Sequence, residues 1–312
     1  MDRIAEDVKN SAYDIISKKQ ATYYGIAMSV KRICECIIRN ERSILPVSSM
    51  MHGEYGIDGI SLSMPAIVGL NGIETHVPIS LDAEEAEKLR KQIFEKFYDT
   101  EKKVFIDSYE SGKRNVTRQS NILAYLFLSC DDTVKKDIYE RVVLNDEVPQ
   151  ITTPYFKFYE NQVHCKAGNT NLLEKSIREY YGSMLATGAT TLYEEYDPTM
   201  TGVEHYAMYG NPFEKSLCHA WSASPIYLLG NFRLGVENTG IAYDTFDVRP
   251  NPGDLKGFHG KVPVPGGTVS VSVDQEEIRV YSEIPGGTLY VDGKAYTLEA
   301  KKECRVRRKS DV

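Results

Sequence analysis

The sequence predicts an α+β chain of more than one domain. Three observations lead there. Apolar residues at helical spacing near the N-terminus give way to short strand-like runs after residue 43. About six helical stretches then follow one another. Beyond Asn238 the pattern changes to period two.

Residues 2–39 read as helix, because Ile4, Val8, Ala12, Ile15 and Ile16, then Ile26, Val30, Ile33, Ile37 and Ile38, recur one helical turn apart. A break is expected where Thr22 and Gly25 separate the two sets. Between 43 and 80 the runs Ser43–Ser48, Pro65–Val68 and Ile73–Val77 read as three strands. Asn71-Gly72 predicts a hairpin, since both residues tolerate the positive φ of a type I′ turn. Asp82 with Glu85 three residues on reads as a capping box. It opens a helix whose stripe Ala86, Leu89, Ile93, Phe94, Phe97 continues to about Asp99. Further helices are expected at about 115–130, 131–144, 153–167, 171–187 and 213–235. Thr268–Val273, Arg279–Tyr281 and Thr288–Val291 predict a small antiparallel β-domain, with turns at Pro263–Gly267 and Ile284–Gly287.

Composition narrows the function classes. A net charge of −7 lacks the basic face that a general nucleic-acid binder needs. The cluster Lys301, Lys302, Arg305, Arg307, Arg308 and Lys309 reads as a solvated tail. No apolar run reaches the ~18 residues of a membrane span, and the first residues lack a basic stretch followed by an apolar one. The six cysteines contain no CxxC pair, and Cys34 and Cys36 fall on different helix faces. Reduced thiols, a cytoplasmic location and no metal set are therefore expected.

Ala21–Ala27 (ATYYGIA), Leu45–Ser48, Gly53–Gly56 and Pro65–Ile73 together resemble the C-terminal part of L-lactate dehydrogenases, over residues 1 to about 91. The resemblance implies that Thr22 touches a small 2-oxo acid and that Ile26 gives a nicotinamide ring an apolar wall. Hydride transfer also needs a proton-transfer group, a cation for the carboxylate and a glycine-fingerprint dinucleotide fold. No GxGxxG occurs, and His52 and His76 stand outside the family's catalytic motif. No cofactor is expected; NAD belongs to an intact dehydrogenase.

From about residue 92 the chain resembles inverting α-L-rhamnosidases. The carriers are Gly188-Ala189-Thr190-Thr191-Leu192-Tyr193-Glu194, Glu204-His205-Tyr206 and His219-Ala220-Trp221, with Ile151–Tyr155 and Val248–Pro250. The resemblance implies the second half of an (α/α)6 barrel over 92–238 and a β-sandwich over 239–312. It implies Glu194 as general base and His205 in the sugar pocket. Tyr193, Tyr196 and Trp221 offer aromatic faces to sugar C–H surfaces. The family often has Trp where this chain has Tyr193 and Tyr196, which bears on sugar choice. Inverting glycosidases need two carboxyl groups ~6.5–9.5 Å apart, and the family's general acid lies in the upstream half of the barrel. The neighbouring Glu195, Asp197 and Glu204 read as surface groups, and His164 and His219 as structural.

The two resemblances meet near Leu89-Arg90-Lys91, within one helical pattern. Expectations follow for three segments: a dehydrogenase-like fragment at 1–91, a partial barrel and a sandwich. Two functional readings remain. One is a truncated glycoside hydrolase that keeps a rhamnoside half-site. The other is a non-catalytic fusion, or a frame misjoined in assembly, derived from lactate dehydrogenase. An open half-barrel would expose apolar faces, so either the dehydrogenase-like segment covers part of them, or the chain self-associates, or it folds poorly.

Overall fold

The computed structural model describes residues 18, 23–52, 58–77, 83–107, 114–208 and 211–308. It holds two compact units, Met1–Leu81 and Asp82–Val312, and the architecture is mixed α+β with several sheets.

In the first unit, helix α1 (Tyr23–Arg39) precedes strands β1 (Ser43–His52), β2 (Asp58–Gly69) and β3 (Gly72–His76), which form one antiparallel sheet in that order. Met64, Ala66 and Val68 of β2 are buried at period two, and α1 packs on that strand with Cys36 buried. Two expectations change. The helix runs through Gly25 without a break, while Thr22 lies outside the described residues, as does the Asp82 cap. The hairpin forms one residue earlier than expected: Gly69 pairs with Gly72 across Leu70-Asn71. Positive φ falls on Gly72 (84°) and not on Asn71. A type I′ turn would need it at both central residues, so the pair there is not the I′ pair.

The second unit opens with α2 (Ala83–Phe97). It stops before Asp99, because Tyr98–Asp99 (β4) pairs with Val104–Phe105 (β5). Then come α3 (Arg118–Phe127) and α4 (Asp132–Ile138), the latter prolonged by a wider π-type turn, Tyr139–Val143. Next are α5 (Pro154–Lys166) and α6 (Thr170–Ser176). The α6 stretch continues through a second wide turn, Ile177–Tyr181, into Gly182–Ala186. The widened turn brings the successive residues Tyr180 and Tyr181 both into the interior. Ile122, Ile138, Val143, Ile151 and Val163 make the core among α3, α4 and α5. Arg118 lies within it. Its guanidinium donates to Glu160 Oε1 (2.8 Å) and to the carbonyls of Val143 (2.6 Å) and Asn145 (2.9 Å), so one cation ties the end of the α4 stretch to α3 and α5.

The helix expected at 213–235 is the main correction to the element order. Only a short 3-10 turn, Ala220–Ser222, and the α-helix Ser224–Phe232 (α7), which carries a proline in its first turn, are helical. Residues 215–219 bond across the chain instead: Lys215 N to Tyr206 O, Glu194 N to Ser216 O and His219 N to Leu192 O.

Eight strands follow: β6 (Val236–Asn238), β7 (Phe246–Val248), β8 (Phe258–Val264), β9 (Gly267–Val273), β10 (Glu277–Ser282), β11 (Gly287–Val291), β12 (Lys294–Thr297) and β13 (Glu303–Arg307). They form two four-stranded sheets, β13-β10-β9-β8 and β12-β11-β7-β6. Val269, Val271, Val273, Ile278 and Val280 of one sheet share a single core with Phe246, Val248, Leu289 and Val291 of the other. The sheets are not wholly antiparallel as expected, since β7 and β11 pair in parallel. Arg233, just after α7, joins helices to sheets: it meets Glu174 at 3.2 Å and donates to the Asn251 carbonyl at 3.0 Å.

Candidate active site around Glu194

Gly188 (φ 90°) ends the α6 stretch, taking the left-handed conformation that terminates helices. The chain from Ala189 to Asp197 is then irregular but tied on both sides. Glu194 N donates to Ser216 O (2.9 Å) and Tyr196 N to Thr152 O (2.9 Å). Ser222 Oγ donates to Tyr193 O (2.6 Å), and Thr191 Oγ1 donates to Leu217 O. These bonds hold Glu194 against the segment 216–222 and against the N-terminal end of α5.

The Glu194 side chain is 15% exposed, with Oε2 3.9 Å from Nδ1 of His219. Trp221 donates its indole N–H to the Glu194 carbonyl (3.1 Å). Its ring lies 4.2 Å from the His219 ring and 5.4 Å from that of Tyr155. Carboxylate, imidazole and indole thus form one half-buried group. His219, expected from the sequence to be structural, and Tyr155, not expected in the site, both stand beside Trp221 here. The available signal is that His219 and Trp221 stand two apart in the quoted motif; His219 precedes the short helical turn Ala220–Ser222 that carries Trp221.

The three neighbouring carboxylates each have another task. Glu204 closes the capping box of a short helical turn with Thr201, whose N–H donates to it (3.1 Å). Asp197 accepts the Thr199 hydroxyl (2.7 Å) and N–H (2.9 Å). Those two bonds, aided by the charges of His205 and Lys215, hold its carboxyl below the usual carboxylate range against the cost of burial. Glu195 lies 3.5 Å from the buried ammonium of Lys215.

The other expected site residues divide. His205 is buried and stacks on Tyr196 (5.0 Å, 10°). Tyr193 is 4% exposed and packs with Tyr180, Tyr181, Met184 and Tyr196 in an interior cluster. Trp221 therefore presents an open ring face, and Tyr193 fills the core behind the loop. Ile26 is 63% exposed on α1, and Thr22 lies outside the described residues. The described strands of the first unit pair antiparallel, so these residues do not supply the parallel βαβ unit that binds a dinucleotide pyrophosphate.

Residues 1–104 match the lactate/malate dehydrogenase family, alpha/beta C-terminal domain. The chain is 53% identical over 89 residues to the L-lactate dehydrogenase of Acetivibrio thermocellus, a stretch covering 28% of each chain. It is likewise 53% identical over 87 residues to the L-lactate dehydrogenase of Thermoanaerobacterium saccharolyticum, again 28% of each. Another region resembles a solved structure, the GH78 family rhamnosidase of Bacillus sp. GL1. There the TM-score is 0.57 and the identity 28%, over 67% of this chain and 23% of that one. The chain thus spans under a third of the length of each of these relatives. It joins a segment like the dehydrogenase C-terminal domain to one with distant glycosidase likeness.

Proposed function

We propose that this chain carries the base half of a sugar-hydrolysing site, with Glu194 as general base toward an α-L-rhamnoside. In this reading residues 92–238 are a partial (α/α)6 barrel and 239–312 a β-sandwich. Residues 1–91 are a lactate dehydrogenase C-terminal-like fragment without dehydrogenase chemistry. Thr22 and Ile26 stay with that fragment as remnants of its 2-oxo-acid and nicotinamide contacts, and no step runs through NAD.

The observation that carries the reading is the division of labour among four carboxylates. Glu195, Asp197 and Glu204 are engaged by a lysine, a turn and a helix cap. The Glu194 carboxylate faces the His219 imidazole, and the Glu194 backbone carbonyl takes the indole N–H of Trp221. A carboxylate so placed can take a proton from a water attacking the anomeric carbon. The His219 imidazole lies beside the carboxylate, at 3.9 Å and beyond hydrogen-bond distance. Trp221 supplies an apolar ring to the sugar's C–H face. Tyr193 and the buried His205, stacked on Tyr196, act from behind by fixing the loop that bounds the sugar pocket.

General-acid help to the departing oxygen is worth ~10²–10⁴-fold. The family's acid lies upstream of the matched region. Activated aryl rhamnosides, whose leaving group needs no proton, should then turn over slowly, while unactivated rhamnosides should not turn over measurably. The test is aryl-rhamnoside turnover by the chain and by Glu194→Gln, with aryl glucosides as controls. Loss of turnover in the variant is expected. Equal rates in both proteins would remove the base assignment.

A further inference from the structure

We propose that a row of four rings, three of them exposed, running away from Glu194 is an extended binding track for an uncharged oligosaccharide, holding the sugar residues beyond the one at the carboxylate. This rests on the glycosidase reading of Glu194 and adds to it a class of ligand. The row begins at Trp221 and continues to Tyr155 (5.4 Å between ring centres), Tyr159 (5.5 Å) and Phe127 (6.2 Å). It is built from three separate elements: the turn Ala220–Ser222, the first two turns of α5 and the last residue of α3. Tyr155 and Tyr159 are four apart, hence on one helix face.

Three of the four rings are open, and Tyr159 between them is half-buried against the helical core. Phe127 is 62% exposed, and Tyr155 and Trp221 are 41% each. The contacts of Tyr159 with Tyr155 and Phe127 are edge-to-face, at 77° and 75°. Such contacts fix the rings against one another while leaving surface for a ligand. None of the four rings carries a charge, which suits a neutral ligand. The Tyr155 and Tyr159 hydroxyls lie 3.4 Å apart and put hydrogen-bonding groups in the middle of the apolar row. A sugar residue has this dual character, an apolar C–H face edged by hydroxyls, and a purely aliphatic partner does not. The track also leads to the carboxylate rather than ending in an isolated patch, through Trp221 and His219.

Trp221 is the single tryptophan of the chain, so its fluorescence reports binding directly. The full chain is titrated with L-rhamnose and with a tetrasaccharide bearing α-L-rhamnose at its non-reducing end. The tetrasaccharide is expected to bind more tightly. Phe127→Ala and Tyr155→Ala are each expected to shrink the ratio of the two affinities by about three- to tenfold, the value of one ring contact. Equal affinities for both sugars would overturn the track, as would an unchanged ratio in both variants. If the ratio behaves as expected while Glu194→Gln turns over aryl rhamnoside like the parent, the track stands and the base assignment falls. If turnover needs Glu194 but the tetrasaccharide gains nothing, the track alone falls. Sedimentation closes the remaining alternative: a dimer that Phe127→Ala dissociates and sugar leaves untouched would make this face an interface between copies.

Discussion

Burial holds the imidazole of His164 neutral, pushing it from 6.5 down to about 4, with the Glu160 charge opposing that shift in part. The Tyr139 hydroxyl lies 3.1 Å from its Nδ1. An unfolded chain takes up this proton below about pH 6.5, and the folded chain only near pH 4. Stability therefore falls as pH drops between those values, by at most about 3 kcal/mol from this one group. Urea titrations at pH 7, 5.5 and 4.5 should show the loss, and His164→Asn should flatten it. Glu160 provides a second residue-scale prediction. Its carboxylate takes hydrogen bonds from Arg118 (2.8 Å) and Lys157 (2.6 Å) in the interior. Glu160→Ala leaves a buried guanidinium without its counter-charge and should cost ~3–5 kcal/mol in denaturant unfolding. Glu160→Gln, which still accepts a hydrogen bond, should cost less.

Element boundaries depend on a few backbone commitments. Asp131 caps α4 by accepting from Val134 N at 2.8 Å. Asp131→Ala should lower stability by ~1 kcal/mol in thermal unfolding. Gly235 turns the chain from α7 into β6 at φ 71°, and a Cβ there would overlap the Arg249 carbonyl. Gly293, in the β11–β12 turn, has φ 74° and open space. Gly235→Ala should therefore lower the melting temperature clearly more than Gly293→Ala. The latter carries only the backbone strain, ~1–3 kcal/mol at most. A similar melting temperature for the two variants would contradict the overlap. These boundaries also mark where sequence reading is weak. The apolar residues between 213 and 223 suit a helix, but Lys215, Ser216 and His219 spend their backbone groups on Tyr206, Glu194 and Leu192. No local pattern reveals partners nine or more residues away.

At the scale of the molecule, the Glu194 site belongs entirely to the unit Asp82–Val312. A chain beginning at Asp82 should keep the slow, Glu194-dependent aryl-rhamnoside turnover of the full chain; if that turnover is lost, the first unit has a part in the site. With NAD, the full chain should neither oxidise lactate nor reduce pyruvate, which absorbance at the nicotinamide band would check. Apolar side chains such as Leu185, Ile226 and Val203 stay exposed on this unit. No helix among the described residues is long and apolar enough to cross a membrane.

The sequence by itself determined the order of the elements, helix and three strands, then helices, then strands, because periods of 3.6 and 2 are local properties of the chain. It also determined both resemblances, since the runs Pro65–Ile73 and Gly188–Glu194 are contiguous. Within the site it singled out Glu194 and Trp221 in two separate motifs, but not the contacts that separate Glu194 from Glu195, Asp197 and Glu204. That distinction lies in which partner each carboxylate meets, and those partners come from other segments: Lys215 for Glu195 and His219 for Glu194. Tertiary structure also decided that Tyr193 is core while Trp221 is open, and that Tyr155, Tyr159 and Phe127 line up with it. Exposure and alignment are set by how α3, α5 and the 216–222 segment pack. Aromatic residues spaced along a sequence do not say which of their faces the fold will cover.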